Sequence, residues 1–87
     1  MYRIYLRDPD QRVSEKTVTG DPSVALAAFS ALVNRSDLNG RKLLAVLNRD
    51  GKPVAHHDFR IRPDGSPLDP MKWWRDRIDQ LDLPRSA

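Results

Sequence analysis

The chain has 87 residues, 39% hydrophobic and 31% charged, with no cysteine and a net charge of +3. That length supports one domain, 1–87, with a single modest core, and the lack of cysteine excludes disulfides, thiolate nucleophiles and zinc ribbons. No run approaches the roughly 18 apolar residues of a membrane span, and residues 1–20 carry charges throughout with no apolar signal core, so neither a membrane partner nor a secretory signal is expected.

Residues 2–7 read as a strand, with Tyr2, Ile4 and Leu6 on one face and Arg3, Tyr5 and Arg7 on the other. Asp8-Pro9-Asp10-Gln11 is a turn. Residues 12–19 read as its partner, polar on much of both faces and so suited to an edge. Asp21 and Pro22 supply an N-cap and a first helical residue, and the helix is expected to reach Asn34 with Val24, Ala28, Phe29, Leu32 and Val33 on its buried stripe. Asn34 to Gly40 is a loop.

Residues 42–48 are the strongest strand. Leu43, Ala45 and Leu47 face one way and Leu44 and Val46 the other, the pattern of a central strand covered on both sides. Asn48-Arg49-Asp50-Gly51 turns the chain, and residues 52–59 return, with Pro53 suited to an edge. Residues 60–70 are a Pro-rich loop. Asp69-Pro70 repeats the capping signature, and the spacing of Met71, Trp74, Ile78 and Leu81 predicts a helix over 70–81, followed by a tail at 82–87. The order is β-β-α-β-β-α. It implies an α+β fold, a four-stranded, mainly antiparallel sheet with helix 22–34 on one face. Cover for the second face of strand 42–48 would come from helix 70–81 or from a second copy of the chain.

Few residues carry the types that chemistry needs. His56-His57-Asp58 is the one cluster of ligand or catalytic types. Neighbours on a strand point to opposite faces, so only His56 and Asp58 share a side, too few for a metal. The plain reading is a His–Asp hydrogen bond on the sheet surface, with His57 partly buried between Ala55 and Phe59. The serines lie in no Gly-x-Ser-x-Gly setting, and Gly20, Gly40, Gly51 and Gly65 are isolated turn residues. No catalytic residue, metal or cofactor is expected. A core this small also leaves little room for a pocket of roughly 300 Å³.

Two features point to binding. Arg41, Lys42, Arg49, Lys52, Arg60 and Arg62 give residues 41–62 a net +4, the candidate nucleic-acid surface. Tyr5 is the one aromatic suited to stacking on an exposed sheet face. Trp73 and Trp74 cannot share one narrow helical seam. Trp74 fits the apolar stripe, which turns Trp73 toward Arg77, its i+4 neighbour, as an interface anchor or as an edge residue under the guanidinium.

Asp21-Pro22 leading into an Ala-rich helix with Ala28-Phe29, then Gly40, Ala45-Val46-Leu47, Asp50-Gly51 and Phe59, resembles small uncharacterised proteins encoded on proteobacterial plasmids and integrative elements. The resemblance covers about half the chain and lies in turns and core residues. It implies a bacterial cytoplasmic setting and an accessory role, such as an adaptor or an inhibitor of a host system, and it carries over no site. The expectation is a non-enzymatic protein–protein interaction module that contacts a protein partner or a second copy through Trp73, Arg77 and Tyr5. The alternative is a nucleic-acid-binding protein using segment 41–62.

Overall fold

The computed structural model describes residues 1–81. Alternating apolar residues build β1 (Tyr2–Arg7), whose Tyr2, Ile4 and Leu6 are buried while Arg3 is exposed. Asp8 then turns the chain by accepting the Asp10 and Arg12 amides at 2.9 Å. β2 (Val13–Thr19) returns antiparallel to it, with a break in register where Glu15 takes φ 54°. β3 (Leu44–Arg49) and β4 (Lys52–Asp58) form a hairpin through Asp50-Gly51, both at positive φ, the geometry of a two-residue primed turn. The sheet order is β2-β1-β3-β4 with every pairing antiparallel.

α1 (Pro22–Val33) begins as its capping residues require: Asp21 accepts the Ser23 amide at 2.8 Å and Pro22 opens the helix. Its buried face is Ala25, Phe29, Leu32 and Val33. Val24, expected on that stripe, is exposed, because a stripe through 25, 29, 32 and 33 is the one that meets the sheet. α1 lies across β1, β2 and β3. Over β4 the same face is covered by Phe59, Trp74, Ile78 and Leu81, which join the core around Phe29 and Leu47. A short 3₁₀ turn at Ser36–Leu38 buries Leu38 at the rim.

The helix expected over 70–81 is absent. Its start forms as read: Asp69 accepts the Met71 amide at 3.1 Å and a 3₁₀ turn spans Pro70–Lys72. Trp73 then becomes extended, and the Trp74 amide is donated to His57 Nδ1 at 2.9 Å instead of to a carbonyl four residues back. That bond ends the helix ladder and draws Trp74, Ile78 and Leu81 to the sheet, while Met71 stays exposed. A second 3₁₀ turn follows at Ile78–Gln80. Arg75 fastens the segment to the end of α1, donating through Nε to the Val33 carbonyl at 2.8 Å and through Nη2 to Asn39 at 2.7 Å.

Other expectations are adjusted in detail. The central strand starts at Leu44 rather than Lys42. Among the described residues no helix covers its second face. Val46, 1% exposed, lies in register between Tyr5 and His56. The Pro-rich stretch folds into a small hairpin, with Arg62 donating to Ser66 and Leu68 to Arg60. The tail expected at 82–87 lies outside the described residues.

His57 is fully buried, its ring edge-on to Phe59 at 4.6 Å and tilted against Trp73 at 4.7 Å. Accepting at Nδ1 puts the ring proton on Nε2, which has no hydrogen-bond partner among the described residues. Burial first, and then the nearby Arg75 charge, push its pKa down to about 4, against the opposing pull of Asp58. The unfolded chain therefore binds a proton that the folded chain refuses between pH 6.5 and about 4. Stability is full above that window and falls as the pH drops through it, by on the order of 3 kcal/mol. His56 is shifted in the same direction. Carboxylates held low, such as Asp58, act in a separate window below their ordinary value of 3.8. Urea unfolding at pH 7, 5.5 and 4 is expected to show this decline. A level profile from pH 7 to 4 contradicts burial of a neutral His57.

Candidate functional site

With α1 and residues 73–81 on one face, the other face of the sheet is left without a covering helix among the described residues. Register defines what it presents. One row across β1, β3 and β4 is Arg7, Leu44 and Asp58; the next is Tyr5, Val46 and His56; Arg3 and Asn48 follow. On β2, Val13 and Val18 pair with Arg7 and Arg3 and are both exposed. Asn48 Nδ2 donates to the Tyr5 hydroxyl at 3.1 Å, which fixes the half-buried ring in the middle of this face.

At one end of the face a cleft of about 380 Å³ opens between the β1–β2 turn, the start of β3 and the 70–72 turn. Arg7, Lys42, Arg60 and Lys72 line it over a floor that includes Leu44 and Asp58. Asp58 is 2% exposed and accepts the Arg60 amide at 3.0 Å, Nε at 3.0 Å and Nη2 at 2.7 Å. Burial alone would raise the Asp58 carboxyl. The Arg60 hydrogen bonds, and the attraction of Arg60 and Lys72, outweigh burial and hold it below the ordinary carboxylate value. Arg60 is thereby neutralised and oriented. Arg7, Lys42 and Lys72 have no hydrogen-bond or ion-pair partner for their side chains among the described residues. Half-buried His56 responds to this excess of charge: burial, then Arg7 and Lys72, lower its pKa, which keeps it neutral near pH 7.

The residues singled out in the sequence divide among several places. Of the basic segment, only Lys42 and Arg60 reach the cleft. Arg49 and Lys52 flank the β3–β4 turn at the far end of the sheet. Arg41 is exposed in the loop before β3, and Arg62 is exposed on the small hairpin. Segment 41–62 is therefore not one surface. The cleft draws half of its cations from outside it, Arg7 by strand alternation and Lys72 by the turn at 70–72. Arg7 was legible on Tyr5's face of β1; Lys72 was not, because a regular helix there would set it elsewhere.

The three interface candidates are likewise not brought together. Tyr5 is on the open face, whereas half-buried Trp73 packs on His57, which points to the α1 side. Arg77 lies over Trp74 at 4.4 Å, not over Trp73, whose ring carries Arg75 at 4.8 Å. Without a helix the i+4 relation does not apply, and Arg77 instead donates to the Trp73 and Met71 carbonyls. The His–Asp hydrogen bond expected on the surface is replaced by the Asp58–Arg60 pair. Among the described residues, no three His, Cys, Asp or Glu side chains cluster to hold a metal, and no helix is long and apolar enough to cross a membrane.

Comparison with protein-family models, with curated proteins and with solved structures gives no significant match to this chain.

Replacing Lys72 by Gln removes one of the charges that oppose protonation of His56. The His56 pKa is expected to rise toward 6.5, while that of His57 stays near 4. An NMR titration of the two imidazoles measures both. An unchanged His56 would mean that Lys72 does not lie over this face.

Proposed function

We propose that the protein is a non-enzymatic binding module that holds a nucleic-acid strand against the open face of its sheet, in an accessory role as an adaptor or inhibitor. The observation that carries this reading is the convergence of Arg7, Lys42 and Lys72, unpaired among the described residues, beside an uncovered face with Tyr5 in its middle. Like charges from three separate parts of the chain repel one another. A polyanion relieves that repulsion, and phosphate contacts supply sequence-independent affinity. Tyr5 offers a ring on which a base can stack.

Other features support a face rather than an edge as the contact. The β2 edge carries the Glu15 irregularity and Lys16, and the β4 edge carries Pro53; both devices discourage strand addition. Two of the groups capable of acid–base chemistry are committed elsewhere, Asp58 to Arg60 and His57 to the Trp74 amide. The likeness to plasmid- and integrative-element-borne proteins fits an accessory role in a bacterial cytoplasm. A protein contact retains one supporting feature, half-exposed Trp73 beneath Arg75, a pairing frequent at the centre of interfaces.

Fluorescence anisotropy with a labelled single-stranded oligonucleotide at about 50 and 200 mM salt tests the reading. Binding is expected to weaken with a log–log salt slope of about −2, as three phosphate contacts to a single strand imply. The double substitution Arg7→Ala with Lys42→Ala should weaken it strongly, and Arg49→Ala with Lys52→Ala should leave it nearly unchanged. No binding at the lower salt overturns the reading. If self-association that Trp73→Ala removes accompanies that result, the contact moves to the Trp73 side.

A further inference from the structure

We propose that the cleft between the β1–β2 turn and residues 70–72 is a discrete pocket for a phosphomonoester of nucleotide size, a nucleoside monophosphate being the simplest ligand of that class. The proposal rests on the reading of the open face as an anion-contacting surface, and it adds a defined site with its own ligand. Three observations lead to it. The cleft encloses about 380 Å³, far more than a bare phosphate needs and within the range of small-ligand sites. Its cations come from three directions, Arg7 from β1, Lys42 from the run before β3 and Lys72 from the 70–72 turn, as suits a group with several anionic oxygens. Its lining is also mixed. Leu44 offers an apolar floor for a base, and Asp8, beside the cations, offers an acceptor for sugar hydroxyls.

The charge state favours a terminal phosphate over an internal one. A phosphomonoester carries about −1.5 to −2 near pH 7, against −1 for a phosphodiester, and three unpaired cations match the larger charge. Arg60 contributes a fourth cation and the second guanidinium, held at the rim by its bonds to Asp58.

The test is an NMR titration of the ¹⁵N-labelled protein with adenosine 5′-monophosphate, with adenosine, and with an eight-nucleotide deoxyadenylate strand lacking terminal phosphates. Adenosine 5′-monophosphate is expected to shift the amides of Arg7, Lys42, Leu44 and Lys72 in a saturable way. Adenosine should bind at least tenfold more weakly, and each of Arg7→Gln, Lys42→Gln and Lys72→Gln should weaken the nucleotide by roughly tenfold, the usual effect of losing one charged hydrogen bond. Arg49→Gln at the far turn should have no effect. Each variant's amide spectrum reports whether it is folded.

Equal binding of adenosine and its monophosphate, shifts confined to another part of the chain, or folded cleft variants that bind like the parent would each overturn the pocket. A strand that binds while the monophosphate does not leaves the polyanion face standing and removes the pocket. A monophosphate that binds in the cleft while the strand does not supports the pocket and removes the nucleic-acid reading.

Discussion

A single hydrogen bond, from the Trp74 amide to His57 Nδ1 at 2.9 Å, decides how this chain divides its two sheet faces. It breaks the helix that Asp69 and Pro70 begin and diverts the following residues to the side that α1 already occupies. α1 alone does not reach across β4. Trp74, Ile78 and Leu81 complete the layer there, and Arg75 ties them to the last turn of α1. The bond requires a neutral imidazole inside the core, with a ring N–H left without a partner among the described residues. A buried unsatisfied donor costs stability, and that cost is tolerated because one side chain orients an entire segment.

The consequence appears on the opposite side of the sheet. Among the described residues no helix crosses it, and at its end Arg7, Lys42 and Lys72 line the cleft without an ion-pair partner for their side chains. Asp58, buried beneath, is fully engaged by Arg60 and adds little negative charge to the rim. The covered face thus supplies stability and the open face supplies electrostatic potential.

Much of the architecture was legible in the sequence because it follows from local rules. The alternation in Tyr2–Arg7, the Asp21-Pro22 cap and the Asp50-Gly51 turn each specify their element within a few residues, and all three form as read. The 70–81 segment defeated the same rules because its outcome depends on a residue 17 positions away in sequence. Its apolar spacing was read correctly as core-facing for Trp74, Ile78 and Leu81, but a 3.6-residue period does not distinguish a helix from two turns joined by an extended residue. The candidate site was legible only in part. Lys42 and Arg60 stood out by charge density; Arg7 shares Tyr5's strand face but lies outside the basic segment and is not among the candidates, and nothing local marks Lys72. Net charge per segment also grouped Arg49 and Lys52 with residues at the other end of the sheet, since a hairpin carries sequence neighbours away from each other in space.

The account turns on whether the Trp74 amide is bonded to the imidazole of His57. In protein uniformly labelled with ¹⁵N at neutral pH, a through-hydrogen-bond coupling between the Trp74 amide nitrogen and His57 Nδ1 reads that contact directly. The account predicts a resolved coupling together with slow hydrogen exchange at this amide. No coupling, with the Trp74 amide exchanging as fast as an exposed one, would contradict it, and the division of the sheet into a covered and an open face would lose its cause.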